Sequence, residues 1–577
     1  MGYKVGISSG WWHIGKDPNL LGLAQKSGAF GATAGVQFNQ VDLDTVIEFL
    51  EPELKKQMSE VLRTLGIKVG LHGELGEVAA LESAERRIYE QVHKRTVATF
   101  KFSKEFGFVY VNVHGSQKLQ LQQEESRLRP YGYSFQVVDF WGRPFWQLAE
   151  ENNEGGRKVK EFLIGKISGN AIRQDDAWGK NVSEEAKKID TEIEQDIQRQ
   201  LDEVKKKEGY DKLSEAEKKS IERQIRIEAA KTRDFLLKER TERNADFIYN
   251  VWKESTYARY VLEAGEIDAY MAVAIYMYYN KDPLWFNIVG DVHPEKAYVG
   301  KSPKNGGEEE DPTMEERFNS AVSAKYHEGH LLKTNKELDG LSLKEFCEKN
   351  QVHYLIETPH SQAGSEGLAR FYRPCYLYEL AKRINSPYVK ITIDFEQCMG
   401  QNIALDDDKK PGDGVGTWPD DIGKYIHLLH LGEPKPYWGT AHIPIALGSI
   451  GHEALYRWIF KLRKKGFRDG IIVFERGSGR SGGGKTMFEV FEYSVQAIRN
   501  IVQFLEQDIE PKKLPAEFYG ITHENKDVFA RQQVTIREHA WDPLEGLLSV
   551  VEEKHSFLSG AAVAKQKAQE WEKRKFR

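Results

Sequence analysis

Six apolar runs of this chain each end on a residue able to bind a metal or move a proton: 67–72 on His72, 109–114 on His114, 353–357 on Glu357, 389–394 on Asp394, 425–430 on His430 and 471–475 on Glu475. One strand-end imidazole or carboxylate is ordinary, usually solvated or hydrogen-bonded. Six in order form the pattern of a parallel β/α barrel, where every strand opens its C-terminal end on one face and residues distant in sequence converge. A ring of imidazoles and carboxylates suits zinc or manganese. It holds more donors than one tetrahedral ion takes, which points to two ions with Glu357 between them.

The elements that must position these residues alternate at first. A strand over 3–10 leads to Trp11-Trp12-His13, a stacking platform or a hydrophobic lid on the rim. Helical spacing follows over 43–65, and again from a Ser83 N-cap to Phe106. After His114 far more chain passes before Glu357 than the few tens of residues a βα unit needs. The expected fold is therefore an α/β (β/α)8 TIM barrel, with a large, mainly helical insertion after strand 3 and a C-terminal extension. The boundaries fall at 1–116 and 316–508 for the barrel, 117–315 for the insertion and 509–577 for the extension, which ends in a basic helix.

Within the insertion, 131–167 is aromatic and glycine-rich, and 183–243 is dense in charge, hence long solvated helices. The Tyr-, Ala-, Val- and Met-rich 245–279 should pack on the barrel or on another copy, making a homo-oligomer. A helix over 314–350 returns to the barrel. It carries His327-Glu328-Gly329-His330, which lacks the HExxH spacing and reads as surface or capping. Asp406-Asp407-Asp408 reads as a solvated loop. Eight strands are reached if 441–445, next to His442, belongs to the seventh.

With 577 residues, 29% charged and 40% hydrophobic, the chain reads as soluble and holds a large core. No apolar run approaches the ~20 residues of a membrane span. Cys347, Cys375 and Cys398 are too few and too scattered for a disulfide framework, so a cytoplasmic location is expected. The net charge of -6 gives nucleic-acid binding no global support, which leaves local basic patches such as Arg476, Arg480, Lys485 and the C-terminal helix. Residues 479–486 match GxxxxGK[ST] without a Walker-B-like strand after them. They read as a phosphate-binding loop after strand 8, through Gly482, Gly483, Gly484, Lys485 and Thr486, or as a flexible lid.

The sequence resembles the xylose-isomerase-like barrels, and among them endonuclease IV (AP endonuclease family 2). The likeness lies at His72 and the helix start after it, Val113-His114-Gly115-Ser116, Ile356-Glu357-Thr358 with Ala363-Gly364-Ser365, Ile393-Asp394, His430-Leu431-Gly432-Glu433, His442-Ile443-Pro444-Ile445 with Gly448, and Glu475. It covers 1–116 and 350–505. The resemblance implies a zinc-dependent hydrolase that cuts DNA at abasic sites in repair, with His72, His114, Glu357, Asp394, His430, His442 and Glu475 as ligands. Two of that family's positions differ: Gln397 and Thr440 stand where its third zinc has ligands, which isolates His442.

The quartet Glu357, Asp394, His430 and Glu475 is equally similar to that of the superfamily's sugar isomerases and epimerases. Those use one Mn2+, Mg2+ or similar ion, with glutamates as acid and base, here Glu357 and Glu475. The retained His72 and His114 favour the hydrolase, with two Zn2+ and a metal-activated hydroxide acting on nucleic acid. The alternative is a single-metal isomerase or epimerase of a small sugar or sugar phosphate. An inactive barrel whose insertion serves assembly is a third reading.

Overall fold

The computed structural model of the chain describes residues 2–12, 36–43, 53, 56, 60, 64, 68–73, 80–119, 121, 137–166, 176–254, 265–298, 314–359, 369–401, 403, 405, 418–434, 444–475 and 487–521. Eight strands close into a barrel: β1 (Tyr3–Trp12), β2 (Phe38–Leu43), β3 (Lys68–His72), β4 (Tyr110–His114), β5 (His353–Glu357), β6 (Val389–Asp394), β7 (Ile426–Leu431) and β8 (Gly470–Phe474). Every neighbouring pair is parallel, and β8 closes on β1 with Gly470 opposite Tyr3. This is the parallel α/β barrel expected of the chain.

Strands buried on both faces need apolar residues on each, and Val, Ile and Leu supply them here. Tyr3, Val5, Val69, Val111, Ile356, Ile391 and Ile472 face the surrounding helices. Phe38, Tyr110, Leu355, Leu428, Ile471 and Val473 fill the interior. Gly70 has to lack a side chain, because a Cβ there would stand 1.9 Å from Cζ of Tyr110. The Tyr110 ring lies across the space that Gly70 leaves, and its hydroxyl donates to Oε1 of Gln40 at 3.0 Å.

Two expectations are corrected. A strand at Phe38–Leu43 precedes the run ending in His72, so the long segment before Glu357 follows the fourth strand, not the third. Its Phe-Asn-Gln-Val-Asp-Leu sequence hides the strand, because Gln40 faces inward, fully buried, where an apolar residue would have announced it. The eighth strand therefore needs nothing from 441–445: residues 444–446 are not extended in a sheet, and 441–443 lie outside the described residues. Most of 43–65 and the terminal basic helix also lie outside them.

Between β4 and β5 the chain is helical. The helices are α1 (Arg86–Phe106) before β4, then α2 (Glu154–Lys166), α3 (Asp176–Lys205), α4 (Glu215–Arg240), α5 (Ala245–Glu254), α6 (Glu266–Tyr279), α7 (Pro283–Ile288), α8 (Pro294–Tyr298), α9 (Met314–Leu332) and α10 (Leu343–Asn350). After β5 come α11 (Pro374–Ile384), α12 (Phe395–Gly400), α13 (Ile450–Lys464) and α14 (Met487–Glu506).

Helices α3 and α4 pack on each other, burying Ile189, Ile197 and Ala229. They are also tied by ion pairs such as Arg233–Asp190 at 2.5 Å and Arg240–Glu192 at 2.6 Å. The N-cap of α1 is Glu85, with no side-chain cap bond, rather than the expected Ser83, and Glu266 of α6 grips the residues just before the helix. The Glu266 carboxylate accepts the backbone N–H groups of Ala84 and Glu85 at 2.8 and 3.2 Å, a favourable place for negative charge. Among the described residues no helix is long and apolar enough to cross a membrane.

The single helix expected over 314–350 is two. It breaks after Leu332 into a two-residue hairpin around Gly340, and a Ser342–Glu345 capping box starts α10. His327 and His330 are not at the surface: both are fully buried in α9. His330 stacks on Tyr89 at 4.1 Å and shares a proton position with His93 at 2.9 Å.

Candidate metal centre

Each barrel strand alternates its side chains between core and interior, so the last inward residue projects at the C-terminal mouth. That geometry brings His72, His114, Glu357, Asp394, His430 and Glu475 together. The quartet Glu357, Asp394, His430 and Glu475 can offer four ligand atoms within 4.8 Å of one another, as can the trio His72, His114 and Glu357. His442 and residues 479–486, with Gly482, Gly483, Gly484, Lys485 and Thr486, lie outside the described residues.

Glu357 is shared by both groups and divides the site. Its Oε1 faces the quartet, where Nδ1 of His430 lies 2.6 Å away and also 2.9 Å from Oε2 of Glu475. Its Oε2 faces Nε2 of His72 at 3.0 Å and Nε2 of His114 at 3.5 Å. The same Oε2 also accepts a hydrogen bond from Nδ2 of Asn112. Asn112 is held in turn, since its Oδ1 accepts the Thr392 hydroxyl at 2.7 Å.

On the far side of His430, Nε2 donates to Oε1 of Gln40 at 2.9 Å, the oxygen that also takes the Tyr110 hydroxyl. This orients Nδ1 toward the carboxylates, the role an outer hydrogen bond plays for a metal-binding imidazole.

The charges fit a cation. Burial would raise the Glu357 carboxyl, but His430 and His72 hold it well below the usual range. Burial and then repulsion from Glu475 and Glu357 push Asp394 well above its ordinary value. Burial works against a charged His430, yet Glu475 and Glu357 raise it well above the usual imidazole range.

Crowding among three carboxylates and one imidazole thus raises the proton affinity of Asp394 and His430 while Glu357 keeps its charge. Asp394 has one oxygen to give: its Oδ1 caps α12 through the Gln397 N–H at 2.9 Å, while the buried Oδ2 finds no donor. An orphaned buried carboxylate oxygen beside two more carboxylates and an imidazole is a donor set suited to a divalent cation.

Asn112, Thr392 and Gln40 were missed in the sequence reading. The signal was present: Asn112 and Thr392 stand two residues before His114 and Asp394, at inward positions, as polar breaks in Val-Asn-Val-His and Ile-Thr-Ile-Asp.

No protein-family model matches the chain, and no curated protein does. Solved structures do align. An L-ribulose 3-epimerase is 10% identical, with 88% of this chain and 95% of that one covered and a TM-score of 0.36. A D-tagatose 3-epimerase-like protein is 11% identical over 87% and 98%, with a TM-score of 0.37. The 3-keto-D-glucoside 4-epimerase YcjR of E. coli is 8% identical over 88% and 99%, with a TM-score of 0.33.

The eight parallel strands bear out the expected barrel, and a likeness to endonuclease IV is not shown. The expectation of a nucleic-acid hydrolase is corrected accordingly. The Glu357 oxygen that a second ion would need is already engaged by an amide N–H, which cannot act as a ligand.

Proposed function

We propose that this chain is an isomerase or epimerase of a small sugar or sugar phosphate, dependent on one divalent ion. Glu357, Asp394, His430 and Glu475 would hold that ion. The observation that carries the reading is the division of Glu357, with Oε1 turned to the quartet and Oε2 bound by Asn112. A single ion on the Oε1 side leaves that amide bond intact, whereas a bridging pair would break it.

When bound, the ion would polarise a carbonyl and an adjacent hydroxyl of the sugar, which acidifies the C–H between them. The protein's own groups then move the proton. One glutamate carboxylate, Glu357 or Glu475, takes the proton from carbon as the C–H electrons shift toward the carbonyl oxygen. The other, in its acid form, returns a proton to the opposite face of that carbon, which inverts it. Asn112 and Gln40 keep Glu357 and His430 from rotating while charge moves. His72 sits 4.0 Å from Oε1 of Glu475 and 3.0 Å from Glu357, where it orients both carboxylates.

The test is solvent exchange. The protein, stripped with chelator and reloaded with Mn2+, Mg2+ or Zn2+, is incubated in D2O with ketoses and their phosphates and followed by NMR. Deuterium should enter at one carbon next to the carbonyl, only with metal present, and elemental analysis should give one ion per chain. Absence of exchange on every ketose tried, or two tightly held ions, would overturn the proposal.

A further inference from the structure

We infer that α9, through His327, is a positioning element of the metal centre, fixing the ends of β4 and β5 that carry His114 and Glu357. The inference rests on the metal-site reading above and extends it to a side chain that touches no ligand. Nε2 of His327 donates to the carbonyl of Gly115 at 2.7 Å, directly after His114. The N–H of the same Gly115 donates to the carbonyl of Glu357 at 2.8 Å. One residue thus couples the helix to both strands.

The fit is tight: a Cβ on residue 115 would lie 3.1 Å from the Glu357 carbonyl oxygen, the Phe371 carbonyl oxygen and Cδ2 of Leu377. The imidazole of His327 packs 5.1 Å from the Phe371 ring, so it cannot swing away without opening the core.

The residue type is informative. His327 is fully buried, and its second nitrogen, Nδ1, has no hydrogen-bond partner. A leucine would remove the unsatisfied Nδ1 but leave the Gly115 carbonyl unpaired, so packing alone does not call for an imidazole. What it provides is a rigid N–H aimed at one carbonyl.

The loop that begins at Gly115 is gripped at further points. Glu82 accepts the Ser116 hydroxyl and the N–H groups of Gln117 and Lys118 at 2.6 to 2.8 Å. The N–H of Arg370 donates to the Lys118 carbonyl at 3.2 Å, and Ser320, also on α9, donates to the Arg370 carbonyl at 2.9 Å. Two residues of α9, seven apart and so on one helix face, reach segment 115–118, His327 directly and Ser320 through Arg370.

The experiment measures Mn2+ affinity by titration for the wild type, His327→Leu and His327→Gln, with thermal unfolding of the metal-free proteins beside it. His327→Leu should bind Mn2+ about tenfold more weakly, the scale on which outer partners of metal sites act. Its metal-free form should stay folded and unfold only somewhat earlier than the wild type, as one unpaired carbonyl requires. His327→Gln, whose side-chain N–H can meet the same carbonyl, should recover most of the affinity. The Co2+-loaded visible spectrum should shift in His327→Leu and return in His327→Gln, which a general loss of stability would not produce.

Equal Mn2+ affinity in wild type and folded His327→Leu overturns the inference. If His327→Leu does not fold, Ser320→Ala is measured in the same way, and an unchanged affinity there overturns it as well. A wild type that binds no divalent ion overturns the metal reading itself, a distinguishable result that removes this inference with it.

Discussion

The two mouths of the barrel shift the proton affinity of their histidines in opposite directions. At the C-terminal mouth His430 lies between Glu357 and Glu475, which raise it well above the usual imidazole range. At the N-terminal mouth His353 and His427 stack with ring centres 3.8 Å apart. Burial, then Lys390 and Lys4, bring His353 down to about 4. Burial, His353 and the same lysines depress His427 well below its usual range.

An apolar layer of Phe38, Leu355, Leu428 and Ile471 separates the two ends. His430 is fully buried and the other two partly so; burial lowers all three, and only at the C-terminal mouth do neighbouring carboxylates outweigh it. Only the carboxylate end is built for a cation; the other repels one.

The largest effect on that contrast should come from Glu357→Gln, which removes the carboxylate shared by every ligand group. Turnover should fall by about 10^3-fold, within the range of a lost catalytic acid or base, and metal content should drop in elemental analysis. Retained activity would mean that the negative end is not organised around Glu357.

Next is Asp394→Asn, which keeps the α12 cap but deletes a charge. Ion affinity should weaken by roughly 100-fold. The metal-free unfolding midpoint should hold or rise, because repulsion among the carboxylates is relieved. A large fall in that midpoint would show that Asp394 serves the fold rather than an ion.

The smallest effect belongs to the other mouth. His353 has a folded-state value of about 4, below the ordinary 6.5, so the unfolded chain binds more protons between those limits. Its contribution is whole above pH 6.5 and is lost as the pH falls toward 4. His327 and His452, both lowered to about 4, act in the same direction. His353→Phe should therefore lessen the loss of stability between pH 7 and pH 5 by up to about 2 kcal/mol in urea unfolding. Mn2+ binding at the opposite mouth should be unchanged. An altered Mn2+ affinity would show that the two ends communicate.

The strand-end residues were legible in the sequence because barrel topology needs no local motif: apolar runs closing on His72, Glu357 or Asp394 announce themselves by order. What escaped was polar and inward-facing. Gln40 and Asn112 sit where alternation predicts apolar residues, so β2 went unseen and the inner supports of Glu357 were passed over.

Helix α9 failed for the converse reason. Lys325, Glu328 and His327 look like a solvated face, yet they are buried against partners from distant segments. Lys325 pairs with Asp282 at 2.7 Å, and Glu328 with Arg383 at 2.9 Å. A single sequence carries no sign that such partners will meet. The contacts to Glu357 on which the proposed epimerase reading rests are likewise encoded by no spacing.

The chain of contacts from Gly70 through Tyr110 and Gln40 to His430 has an evolutionary consequence. A substitution at position 70 would displace the Tyr110 ring, release Gln40 and so alter the imidazole at the mouth without touching it. Positions 70, 110, 40 and 430 should therefore behave as an epistatic set, in which drift at one is tolerated only with compensating change at the others. Anyone repacking this barrel for stability would be retuning its chemistry with the same mutations.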